Sequence, residues 1–481
     1  MTGLVDLELQ EIADRLARSE ISAEELVLAS LERISSLDRV LNSFVTVLAE
    51  SAIEDARHAD RRRARGNRLG PLDGVPIAIK DNIDIVGVPT TNGLALPDRP
   101  VLPSSDAQVI ARLRAGGAVF IGKTNMDEGA LGGGTDNPHH GRTVNPWKHS
   151  HSAGGSSGGS GAAVAARLVP AALGSDTMGS VRIPAAYCGI VGLKPTYGLV
   201  STRGVAPMSW RLDHLGVLCR TVGDSALMLR AIAGYDPDCV EAVRPPPGFD
   251  LGTSPPWPPE GRRVGILLNF AEVCLEPDVE AAFSNALGLL KDLGCEIREL
   301  QLPEYRPTPA RLAGLLVSEA ESAVFHEAAM QSHPEIYSSY YAGMLTFGSK
   351  VPGLKLMKAE RAIRIAGHEF LRVFCDVDLV VSPTVPDTAY AFEAGGLPYQ
   401  ADMLAIANFA GCPAISIPLG LGGNGLPIGL QIIGKPWHDG ELLAAATEIE
   451  RALGLHLRPP LRAGQPSHQL AGRTAGPDNA S

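Results

Sequence analysis

Residues 152–184 read SAGGSSGGSGAAVAARLVPAALGSDTMGSVRIP, two Gly/Ser clusters on either side of an alanine-rich run. Glycine loses more conformational entropy on ordering than any other residue. So much of it between apolar segments implies that backbone N–H groups or small hydroxyls are being brought close to something. Ser156 stands in the first cluster and Ser180 closes the second. A phosphate cradle needs a lysine after the last glycine, or GxGxxG between a strand and a helix, and neither context is present. Gly154, Ser156 and Gly158 satisfy GxSxG, but the apolar strand that feeds a nucleophile elbow is missing. A purely packing role accounts for one cluster and leaves GSDTMGS, residues 174–180, without a reason.

Amide hydrolysis uses both clusters. It needs a nucleophile, a base for its proton, and N–H donors for the oxyanion. Ser180 sits where a strand ends in a turn, and the N–H groups of Thr177, Met178, Gly179 and Ser180 can converge there as an oxyanion hole. No histidine lies nearby in sequence. A lysine can replace it when desolvation lowers its pKa from about 10.4 toward neutrality. Lys80 ends the apolar segment GVPIAIK, which is a burial context. On the residues alone, a solvated or ion-paired Lys80 and a structural Gly-rich loop both stay open.

The elements that must hold these residues alternate between helix and strand. Residues 5–64 read as helices, with Ser22 and Glu25 forming a capping-box pattern. LDGVPIAIKDNIDIVG reads as two short strands, and further strands are expected at AVFIGKT, PAALGSDT, CGIVGLKPT, HLGVLCRTV, DVDLVVSPTVP, PAISIPLG and IGLQIIG. The pattern predicts an α/β fold, a large, mixed and mostly parallel twisted sheet with helices on both faces. We divide the chain into an N-terminal helical segment (1–64), an α/β domain (65–461) and a disordered tail (462–481). Residues 244–260 carry seven prolines and read as a surface excursion. Residues 308–375 read as a helical insert.

Bulk composition narrows the function classes. Lys+Arg 42 against Asp+Glu 53 gives a net charge of −11, which argues against nucleic acid and anionic membrane as partners. No run of about 18 apolar residues is present, and no signal peptide is read at the N-terminus. Seven scattered cysteines fit a reducing, cytoplasmic compartment. His139, His140, His149 and His151 lie close together without a metal-ligand spacing, so no metal is expected.

The sequence resembles the amidase signature family, which includes bacterial amidases and the amidotransferase A subunit. The likeness runs over about residues 5–455. It is carried by GPLDGVPIAIKDNI (70–83), GKTNMDEGALGGGTDN (122–137), NPW (145–147), AGGSSGGSGAAVAA (153–166), GSDTMGSVRIPAAYCGIVGLKPTYGLVS (174–201), SPTVP (382–386) and GLPIGLQIIG (425–434). It implies Lys80 as base, Ser156 as bridging serine after a cis peptide, and Ser180 as nucleophile, with no cofactor. Asp176 and Arg182 are expected to brace the nucleophile turn. One departure is Met178, where the family usually has glycine. Another is SEAESAVFHEAAMQSHPEIYSSYY, which lacks the tyrosine- and glycine-rich patch of glutamine-using members. The expected substrate is therefore a small apolar or aryl amide, with carbamates and esters chemically adjacent. Met126, Leu131, Trp210, Tyr340 and Tyr341 are the candidate pocket lining. The expected partner is that small amide alone, with the chain a monomer or homodimer. The alternatives are a glutaminase subunit of a tRNA-dependent amidotransferase, and a non-catalytic binding scaffold.

Overall fold

The N-terminal helices form as their caps dictate. Ser22 Oγ accepts from the Glu25 N–H at 3.0 Å, and the Glu25 carboxylate accepts from the Ser22 N–H at 2.9 Å. Leu9, Ile12 and Leu16 of the helix Leu9–Ala17 are wholly buried and share one apolar cluster with strands and helices from the whole chain. The computed structural model describes residues 3–97, 100–251 and 256–461. The expected tail at 462–481 lies outside the described residues, as does part of the proline-rich excursion.

Eleven strands make one sheet. In chain order they are β1 (Phe44–Val47), β2 (Pro76–Lys80), β3 (Val119–Thr124), β4 (Ala171–Asp176), β5 (Val191–Lys194) and β6 (His214–Cys219). They continue as β7 (Arg263–Leu267), β8 (Glu296–Leu300), β9 (Leu379–Pro383), β10 (Ala414–Leu421) and β11 (Pro427–Ile433). Their order across the sheet is β1-β3-β2-β4-β6-β5-β10-β11-β9-β7-β8. Every residue of β2, β3, β4, β6, β9 and β11 is buried, so both faces of the central sheet are covered.

The fold is α/β and the sheet is mixed, but it is not mostly parallel. Six of its ten strand pairs are antiparallel and four are parallel. The reason lies in the connections. A parallel pair needs a crossover of a dozen or more residues, and only five residues, 422–426, separate β10 from β11.

Two short helices follow the candidate serines. Gly158–Ala165 begins just after Ser156, and Arg182–Cys188 begins just after Ser180; both are buried along their full length. The helices Pro307–Ser332, Ser339–Ser349 and Gly353–Arg372 pack together over the expected insert.

Because Leu16 belongs to the main core, its truncation reads out on the whole molecule. We expect Leu16→Ala to lower unfolding free energy by about 2–5 kcal/mol, measured by urea denaturation as one shifted transition. An unmoved main transition would mean that residues 1–64 fold apart from the sheet.

Candidate active site

Strand β2 ends at Lys80, and burial of that strand carries its side chain out of water entirely. Lys80 Nζ donates to Ser156 Oγ at 2.7 Å and to Ser175 Oγ at 2.8 Å. Ser175 also accepts from Asn82 Nδ2 at 3.1 Å. Among the described residues no carboxylate bonds to this ammonium directly. Burial pulls the Lys80 pKa down from 10.5 to about 7, against the opposing pull of Asp127, Asp213 and Asp176. Two other lysines are equally buried and are held differently. Lys123 lies 2.8 Å from Asp81 in an ion pair. Lys194 is also drawn to about 7 by burial, but among the described residues it donates to the carbonyls of Pro195 and Cys412. Lys123 also donates to the Thr90 hydroxyl at 3.1 Å, but its charge is matched by Asp81. Lys80 has two serine hydroxyls, groups that can both give and take a proton, and no ion pair among the described residues.

The loop carrying Ser156 is held from below by Asp127. The Gly155–Ser156 peptide is cis. The Asp127 N–H donates to Ser156 O at 3.2 Å, and Asp127 Oδ2 accepts from the Gly134 N–H at 3.2 Å. Glycine at 155 is a requirement of that contact, since a Cβ there would sit 2.0 Å from Asp127 Oδ2. Ser157 Oγ reaches the carbonyl of Ser175 at 3.2 Å and ties the loop to β4.

Ser180 follows β4 in a turn braced by a buried ion pair. Arg182 donates through two nitrogens to Asp176, at 2.9 and 3.0 Å, and continues to Gln431 at 2.6 Å and Asn408 at 2.6 Å. Burial works against the Asp176 charge, but Arg182 outweighs it and holds the carboxyl well below the usual range. The turn also needs Gly179, whose φ of +130° is closed to most side chains. Here one expectation changes. The Gly179 N–H donates to Asp176 Oδ1 at 2.7 Å, so it serves the brace. The N–H groups of Thr177, Met178 and Ser180 have no partner among the described residues. Thr177 is fixed by its hydroxyl, which donates to Asp213 at 2.6 Å. Burial raises the Asp213 carboxyl to about 6.

Ser180, only 8% exposed, opens onto a cavity of about 410 Å³. Of the expected lining, Leu131 and Tyr340 reach it. The other three do not. Met126 is wholly buried one layer below, against Ala130 and Met208. Tyr341 packs on Tyr337 and His326, over Gly129. Successive helical residues point about 100° apart, so Tyr340 and Tyr341 cannot share one wall. Trp210 lies in a separate cleft with Tyr197, whose hydroxyl donates to the Trp210 carbonyl at 2.9 Å. Met178 borders the cavity, and its sulfur lodges against Gly314 of the helix Pro307–Ser332 and the ring of Phe409. Ser175, Asn82, Asp127 and Asp213 escaped the sequence reading as site residues. The first three do sit inside the motifs quoted above, one or two residues from a candidate or a glycine cluster.

The amidase family model matches residues 25–443 of this chain. The glutamyl-tRNA(Gln) amidotransferase A subunit of Thermosynechococcus vestitus is 38% identical over 480 residues, covering 94% of this chain and 99% of that one. A solved chain from a vestigial protein complex, described as revealing the evolutionary origins of an s-triazine catabolic enzyme, superposes with TM-score 0.84. It is 33% identical and covers 95% of this chain and 100% of that one. A bacterial aryl acylamidase of the amidase signature family gives TM-score 0.86 at 26% identity, with coverage of 93% and 96%. These relatives overturn one expectation. A self-contained monomer or homodimer, meeting only a small amide and no nucleic acid, does not fit amidotransferase relatives that are subunits of a tRNA-directed enzyme. Among the described residues no helix is long and apolar enough to cross a membrane. Matched along nearly its whole length in sequence and in structure, the chain belongs to the amidase signature family and is an amide-cleaving enzyme.

Proposed function

We propose that this enzyme cleaves carboxylic amides through an acyl-enzyme on Ser180, with Lys80 as base and Ser156 as proton relay. The observation that carries the reading is the 2.7 Å contact from a lysine held near neutrality to a serine hydroxyl. Neutral Lys80 accepts the Ser156 proton while Ser156 accepts that of Ser180. Ser180 Oγ then bonds to the carbonyl carbon, and the electron pair displaced onto oxygen is met by the N–H groups of Thr177, Met178 and Ser180. Collapse expels the nitrogen, which takes a proton from Ser156 as Lys80 returns one to Ser156. Water attacks the acyl ester through the same relay and frees Ser180.

Two substrates compete. The amidotransferase relatives support the glutaminase alternative, in which the amide is that of glutamine, ammonia is released, and this chain works as one subunit of an assembly. That reading displaces the small apolar or aryl amide from first place. The second reading keeps support from the cavity wall, where Leu131, Met178, Ile183, Met208, Leu312 and Leu315 present apolar surface. Ammonia release from glutamine, compared with amine release from butyramide and an anilide, separates them. Turnover of the anilide alone would remove the glutaminase reading, and turnover of glutamine alone would remove the apolar one.

Ser180→Ala and Lys80→Ala are each expected to lower kcat at least about a thousandfold, with folding checked by circular dichroism. Retained activity in folded Ser180→Ala protein would end the acyl-enzyme proposal. The pH profile gives an independent check. Lys80 is protonated and unable to accept below its pKa of about 7. Activity should therefore fall about tenfold per unit below that point and level off above it. A flat profile from about pH 5 to 9 would contradict Lys80 as base.

A further inference from the structure

Within the Ser180 cavity one charged side chain stands among the lining residues, Arg311 near the start of the helix Pro307–Ser332. It is only 11% exposed. Its Nε donates to Asp402, a carboxylate that is itself 2% exposed. Asp402 also accepts from Thr308 Oγ1 at 2.5 Å, so both of its oxygens are used. The two terminal nitrogens of Arg311 have no protein partner among the described residues. Among the described residues no acidic side chain lines this cavity. A guanidinium fixed by one edge, with its fork free in an apolar hollow, is built to receive a planar anion through paired N–H donors.

We infer that Arg311 selects amides whose acyl portion carries a carboxylate, which it anchors while the amide carbonyl lies at Ser180. The inference rests on the reading of Ser180 as nucleophile and names the substrate class of that same cavity. It explains why an otherwise apolar pocket keeps one cation half satisfied. It also joins the two substrate readings, because such an amide has a short apolar chain between its two polar ends. A tether that only joins the helix start to the 399–404 turn would use Arg311 differently. It would satisfy the guanidinium on the Asp402 side and make the free fork incidental to selectivity.

The test compares kcat/KM for glutaramate and glutamine with that for valeramide, in the wild type, Arg311→Met and Arg311→Lys. In the wild type the carboxylate-bearing amides should be favoured over valeramide. Arg311→Met should collapse that ratio by about 10- to 100-fold, the worth of a charge-assisted hydrogen bond, mostly through KM. Arg311→Lys should restore part of it. Removing Arg311 takes the cation from buried Asp402 and leaves it the Thr308 hydroxyl alone, so a second measurement guards against misfolding. Fluorophosphonate labelling of Ser180 should persist in Arg311→Met, while protection by glutarate disappears. A wild type without preference for the carboxylate, or an equal loss on charged and neutral amides, overturns the inference. Hydrolysis that survives Ser180→Ala would instead overturn the nucleophile reading beneath it.

Discussion

The Lys80 ammonium lies out of water and donates to two serine hydroxyls, with no carboxylate in direct contact among the described residues. A displacement of its pKa from 10.5 to about 7 corresponds to a folding cost on the order of 5 kcal/mol while the lysine stays protonated. The sign fixes where that cost is felt. Below about pH 7 the lysine is charged in the folded and unfolded chain alike, and the penalty is complete. Between about 7 and 10.5 the unfolded chain holds the proton and the folded one does not, so stability rises with pH across that window. The surrounding structure has to hold Lys80 in place at neutral pH against this penalty. Strand β2 does so by being buried at every position and hydrogen-bonded to β3 and β4 on its two sides.

The turn that carries Ser180 solves the converse problem. Asp176 is equally buried, yet it is kept charged by Arg182, which spreads its remaining donors over Gln431, Asn408 and the Leu404 carbonyl. A buried pair of this kind gains little over an apolar pair of the same shape. What it supplies here is orientation. Asp176 takes the N–H groups of Gly179 and Val181, and so fixes the backbone on both sides of Ser180. The neighbouring N–H groups are left pointing elsewhere. Lys80 is held near the point of losing its charge and Asp176 far from it, and that contrast supports the proposal that the one transfers protons while the other braces the turn.

What was legible in the sequence was whatever depended on backbone geometry close by in the chain. The serine spacing, the glycines of both clusters, the end of β2 at Lys80 and the Ser22–Glu25 cap are all local. Gly155 and Gly179 are there because no side chain fits at the one and the backbone angle excludes it at the other. Strand direction was not legible, because helix–strand alternation does not say which strand lies beside which. Nor was the cavity wall. Tyr340 and Tyr341 are adjacent in sequence and differ only in which way the helix turns them. Arg311 and Asp402 are 91 residues apart, and neither stands in a motif.

Met178 joins the legible and the illegible. Its departure from the usual glycine is visible in the sequence, but its consequence depends on Gly314, 136 positions later. A Cβ at 314 would fall 2.8 Å from the Met178 sulfur. The long side chain and the missing one are therefore complementary, and the helix Pro307–Ser332 can lie close to the nucleophile turn because of them. The same helix carries Leu312, Leu315 and Arg311 to the cavity. A single packing contact thus sets how near that cavity wall stands to Ser180, the proposed nucleophile. On the proposed reading, chemistry is held by the sheet and its two short buried helices, and selectivity by a long helix that meets them at Met178.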